Sequence, residues 1–212
     1  MTIRIVLILL SVLAALPAFA GAQKEEALSA AVATTMQRSI NDSMQPHLVF
    51  ANQQEGQAWI AEMSQRLAHK VPDAYTREKL LTAIQYEATR AGLDPQLVLG
   101  LIQVESGFRG YAISSAGARG LMQVMPFWPR QIGVGSHNLF DVNTNLRYGC
   151  TILRHYVDIE QGDLFRALGR YNGSLGQSEY PNAVLAAWKV HWDWHPERLN
   201  LVQTSYRPAT SR

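Results

Sequence analysis

Residues 94–107 read DPQLVLGLIQVESG, a stretch that carries the start, the buried face and the end of a helix. Asp94 is a good N-cap, because its side chain accepts hydrogen bonds from the otherwise unpaired first N–H groups, and Pro95 suits the first helical position, where a missing N–H removes nothing. Val98, Leu101 and Ile102 fall at i, i+3 and i+4 on one apolar face, and the i+7 position of that stripe is Glu105. The stretch predicts a helix that aims a carboxyl group at the interior and is broken directly afterwards by Ser106-Gly107.

Upstream, a turn at Pro72-Asp73 precedes TREKLLTAIQYEATR, residues 76–90, which predicts a helix with Leu80, Ala83, Ile84 and Glu87 on one face. Residues 23–70, rich in Ala, Gln, Glu, Met and Lys and interrupted at Pro46 and Gly56, read as two or three helical segments without chemistry of their own. Downstream, the glycine-rich GYAISSAGARGLMQVMPFWP, residues 110–129, reads as loop and a short helix. Residues 143–160 predict a helix, and Asp163 caps LFRALGRYN, where Leu164, Ala167, Leu168 and Tyr171 repeat the i, i+3, i+4, i+7 spacing before Asn172-Gly173. PNAVLAAWKVHW forms the last helix, and the tail TSYRPATSR reads as disordered. No alternating strand pattern occurs, so the fold class is all-α.

The first twenty residues place Arg4 ahead of an apolar run from Ile5 to Leu16 and end in Ala18-Phe19-Ala20, the order of a secretory signal with its cleavage site. The run is about a dozen residues, short of the roughly twenty that span a bilayer, so no stable membrane insertion and a periplasmic location are expected. Removing this segment takes away one cation and no acid, which leaves a nearly neutral chain without the basic face that nucleic-acid binding requires. Cys150 is the single cysteine, so no intramolecular disulfide forms, and its apolar setting in RYGCTIL reads as a buried structural thiol. His191 and His195 have a metal-like i, i+4 spacing, but Trp192, Trp194 and Pro196 around them fit an aromatic cluster better, and no metal or cofactor is expected.

Glu105 is the first chemical signal. A carboxyl group on an apolar stripe loses hydration, its charged form is disfavoured, and it stays protonated near neutrality as a general acid must. From Ser106 to Phe140 there is no Asp or Glu, although glycoside hydrolysis ordinarily uses two carboxylates. Asp141 is the nearest downstream candidate and reads equally well as the cap of the following helix. The pattern favours one carboxyl acting twice, or assistance from a group of the substrate.

Glu105-Ser106, GARGLMQVMP at 117–126, Asn145 with Gly149, and Tyr171-Asn172-Gly173 stand in an order that resembles the soluble lytic transglycosylase (SLT) domain family, over about residues 77–190. The resemblance implies a lysozyme-like helical domain and cleavage of the β-1,4 bond between N-acetylmuramic acid and N-acetylglucosamine in peptidoglycan strands. No water is consumed and the product ends in 1,6-anhydromuramic acid. It makes Glu105 the catalytic acid and then base, Ser114 a hydroxyl near the acid, Gln123 and Met125 lining of the sugar cleft, and Tyr171 the cleft tyrosine. Asn172 and Glu179 resemble further substrate-side positions. Around 171–176 the chain departs from the family, which more often has Ala between Asn and Gly.

The expected organisation is a signal peptide at 1–20, a helical extension at 21–76, the SLT domain at 77–190 and a tail at 191–212. Two other readings share the fold. One is a hydrolytic muramidase like goose-type lysozyme, in which Asp141 would reach the cleft; the other is a non-catalytic glycan-binding component of a cell-wall-spanning machine, for which a buried acid has no use.

Overall fold

The computed structural model describes residues 23–195, so the expected signal peptide and most of the expected tail lie outside the described residues. Eight α-helices occur among them: α1 Ala30–Ile40, α2 Gln53–Leu67, α3 Ala74–Arg90, α4 Pro95–Glu105, α5 Phe127–Ile132, α6 Val142–Ile159, α7 Leu164–Asn172 and α8 Glu179–Ala187, the last continued by a π-helical turn, Trp188–Trp192. The helices expected around 76–90, 95–105, 143–160 and 164–172 stand within two residues of α3, α4, α6 and α7, whereas the short helix expected within 110–129 runs on to Ile132 as α5 and the second half of the last helix is the π turn. The lysozyme-like, all-α domain is present.

The caps explain where the helices start. Asp73, Asp94, Asp141 and Asp163 each accept from backbone N–H groups in the first turn of α3, α4, α6 and α7. Helix α4 lies at the centre, with Leu97 through Ile102 buried, and it is enclosed by α3, α8 and the π turn. Trp192 closes its end: the indole N–H donates to Gln103 Oε1 at 2.9 Å and the ring lies against Phe108.

The segment before α3 is held on the domain by both apolar and charged contacts. Helix α2 buries Trp59, Met63 and Leu67 against α3, and α1 lies along α5 and α6. Glu87, fully buried, pairs with Arg90 at 2.8 Å and Arg147 at 2.9 Å. These guanidinium groups donate in turn to the carbonyls of Ser39, Asp42 and Met44. A buried carboxylate is tolerable because two cations and their further bonds complete its shell.

Between α4 and α6 the chain forms a lobe of turns in place of a sheet, with two isolated antiparallel bridges, Ile113 to Arg119 and Arg119 to Val124. Asn145 of α6 organises it: its Nδ2 donates to the carbonyls of Arg119 and Leu139, and its Oδ1 accepts from Met122 N, each at 2.8 Å. Two glycines allow this approach. A Cβ at Gly120, where φ is +75°, would stand 2.4 Å from Asn145 Nδ2, and one at Gly149 would stand 2.3 Å from Met122 Sδ. The glycine at 120 serves packing within the lobe.

Candidate active site

Glu105 ends α4 and is 8% exposed. Its Oε1 accepts a 2.5 Å hydrogen bond from the Tyr180 hydroxyl, whereas Oε2 is buried with no hydrogen-bond partner. Burial pushes the acid up to about 8, and the Tyr180 hydrogen bond opposes that rise in part. At neutral pH the group is therefore mainly a carboxylic acid. Since the phenol already donates to Oε1, the acid's own proton belongs on Oε2.

Tyr180 is brought there by α8, whose inward stripe of Tyr180, Val184 and Ala187 packs towards α4. Burial and the neighbouring Glu105 hold its phenol well above the usual range, so it remains a donor. Tyr180 is not among the expected site residues, where the family resemblance makes Tyr171 the cleft tyrosine. Tyr171 is fully buried on α7, and its hydroxyl donates to Met122 O at 2.7 Å. Its phenol feels the charge of Glu105, but no hydrogen bond joins the two side chains. The signal that finds Tyr180 is its i, i+4 spacing with Val184, hidden in the sequence by Pro181 beside it.

The other expected positions range from buried to exposed. Gln123 is buried with φ +48°, and its side chain donates to the carbonyls of Ala112 and Gly120, bracing the lobe. Met125 is half-buried, with Val124 before it bridged to Arg119. Ser114 Oγ accepts from Ala118 N and closes a turn. Asn172 is buried with Nδ2 unpartnered. Glu179 is exposed in the first turn of α8 and is not brought to the acid.

Asp141 is exposed, and its carboxylate accepts from Thr144 N at 2.9 Å, so it caps α6. Cys150 is buried and burial raises its thiol far above the usual range, which suits a packing role. His195 pairs with Asp193 at 2.9 Å. No group of three or more potential metal-binding side chains occurs among the described residues.

Helices thus surround a central acid-bearing helix, and its tyrosine-bound carboxylic acid stands where that helix gives way to the lobe of turns. Residues 82–183 match the family model described as Transglycosylase SLT domain, and this part of the chain belongs to that family. A membrane-bound lytic murein transglycosylase C of Haemophilus influenzae (strain PittEE) is 54% identical, with 62% of this chain and 42% of the relative covered. A protein named transglycosylase from Enterobacteria phage PRD1 is 39% identical over 42% of this chain and 32% of its own length. The chain thus spans less than half the length of these relatives. Among the described residues no helix is long and apolar enough to cross a membrane.

Proposed function

We propose that this chain is a peptidoglycan lytic transglycosylase, acting after export through a cleavable signal at residues 1–20 to the periplasm. The observation that carries the reading is Glu105: a buried acid, protonated at neutrality, with one oxygen held by Tyr180 and the other unpartnered. In the first step Oε2–H of Glu105 gives its proton to the glycosidic oxygen as the bond from C1 of N-acetylmuramic acid breaks. The resulting carboxylate keeps the Tyr180 hydrogen bond and takes the proton of the muramic C6 hydroxyl while that oxygen bonds to C1. The carboxyl ends the cycle protonated, and the products are a free 4-hydroxyl on N-acetylglucosamine and a 1,6-anhydromuramic end. One carboxyl suffices, which agrees with Asp141 being committed to its helix.

Digestion of purified peptidoglycan in heavy-oxygen water tests the reading. Expected are muramic ends one water lighter than hydrolysed ends, without label. Labelled reducing ends would make the protein a hydrolase, and undigested strands a binding module.

A further inference from the structure

The buried side chain of Gln23 lies against Gln123 and Met125, the two residues that the family resemblance makes lining of the sugar cleft. It is 4% exposed although it precedes the first helix and belongs to no secondary structure. Its Oε1 accepts from the Trp128 indole N–H at 2.8 Å and from Met125 N at 3.3 Å, and its Nε2 donates to Gln123 O at 3.4 Å. The side chain also lies against the Tyr171 hydroxyl. Its carboxamide therefore meets a matched pair, a backbone N–H and a backbone C=O two residues apart, reinforced by an indole donor.

The following residues hold this segment in place loosely. Glu26 O accepts from Gln131 Nε2, the Glu26 carboxylate stands 3.5 Å from Arg170, and Leu28 touches the core. The Glu26 carboxylate is 53% exposed, so its ion pair with Arg170 is screened and weak. Residues 24–27 are exposed. The strap has one deep anchor, Gln23, and a shallow remainder.

A carboxamide and the acetamido group of an N-acetylated sugar offer the same atoms: a C=O acceptor and an N–H donor on one planar unit. We infer that the Gln23 carboxamide occupies an acetamido-sugar subsite formed by Met125 N–H, Gln123 C=O and Trp128 Nε1–H, so that residues 23–28 are an internal occupant that glycan must displace. The inference rests on the proposed function for the identity of the sugar. It makes the strap an autoinhibitory contact: the strap-free fraction of the protein sets the apparent affinity, and weakening the anchor raises that fraction.

The test uses the mature protein, its Gln23→Ala and Gln23→Glu variants, and tri-N-acetylchitotriose as probe. Both variants lose the amide match, and Gln23→Glu also brings a charge to a buried position, so each releases the strap by a different route. Expected are unchanged circular dichroism, binding of the trisaccharide tightened by about tenfold, and a lower KM on peptidoglycan with kcat close to that of the parent. In the parent, the Trp128 indole N–H resonance should move on adding trisaccharide, and in Gln23→Ala it should start displaced. If folded variants bind the trisaccharide no tighter than the parent, or lose turnover, Gln23 only supports the wall and the inference is overturned. A parent that cleaves no glycan yet shows the tightened binding would remove the proposed reaction while leaving the subsite. A parent that cleaves glycan without any response to Gln23 would do the reverse.

Discussion

The hydroxyl of Tyr180 donates to Oε1 of Glu105 across 2.5 Å, joining two residues 75 positions apart in the chain and fixing the end of α4 to the first turn of α8. The bond is strongest when Glu105 is ionised, since a charged acceptor binds a neutral donor more tightly. It therefore favours the carboxylate that exists between the two proton transfers. Tyr180→Phe should lower turnover by about ten- to a hundredfold, the worth of a hydrogen bond to a charged group. Because this bond lowers the acid, its loss should also move the alkaline limb of the pH profile upward. A variant with full turnover and an unmoved limb would show that the bond has no part in catalysis.

Tyr171→Phe should behave differently, although both tyrosines are buried. Its hydroxyl serves Met122 O, and removing it leaves that carbonyl without the donor. The expected result is a stability loss of about 1–3 kcal/mol in denaturant unfolding, with turnover reduced less than in Tyr180→Phe. The reverse order of effects on turnover would return the cleft hydroxyl to Tyr171.

Asp141→Ala tests whether a second carboxylate acts. The N-cap hydrogen bond to Thr144 is lost, so stability should fall by about 1 kcal/mol. Turnover of the folded protein should match the parent's. A folded, inactive variant would favour the hydrolytic reading.

Much of this arrangement could be read from the chain because its signals are local. Asp94 and Pro95 start α4, the i, i+3, i+4, i+7 stripe points Glu105 inward, and burial then sets the acid's protonation without help from distant charges. What escaped the reading depends on contacts between distant segments. Tyr180 meets Glu105 only because α8 packs on α4, and Gln23 meets Gln123 and Met125 across about a hundred positions of chain. No pattern within a window of sequence encodes either meeting. Glu179 beside Tyr180 is the sharpest case: of two adjacent polar side chains, the helix turns the tyrosine in and leaves the acid outside.

Gly149→Ala probes the contact between α6 and the lobe. The added methyl group would stand 2.3 Å from Met122 Sδ and 2.7 Å from Met122 Cβ, so Met122 must move and its hydrogen bonds with Asn145 and Tyr171 must shift. Overpacking of this kind destabilises by about 1–3 kcal/mol. Shortening Met122 as well, in Gly149→Ala with Met122→Ala, should recover part of that loss by making room. Additive losses in thermal unfolding would show that the two positions do not press on each other.

In the unfolded chain Glu105 titrates near 4.5, and in the folded protein near 8. Between those values the folded state holds a proton that the unfolded state has released, so rising pH favours unfolding. The stability associated with the protonated acid is fully present below about 4.5 and is lost progressively as pH rises to about 8, at up to about 1.4 kcal/mol per pH unit. Glu105→Gln keeps the shape and the acceptor for Tyr180 but has no proton to lose. Its stability curve should lack this slope, so parent and variant should be similar at pH 4.5 and the variant increasingly more stable towards pH 8. Turnover should follow the opposite course. The parent should lose activity as pH rises through about 8, where the free enzyme loses the proton it must donate, and Glu105→Gln should retain about a hundredth to a ten-thousandth of parental turnover at any pH. Denaturant unfolding of both proteins at intervals from pH 4.5 to 8.5, with product analysis at each pH, measures both. Parallel stability curves would mean that Glu105 is ionised in the folded protein at neutrality, and a single carboxyl could then not act as the acid.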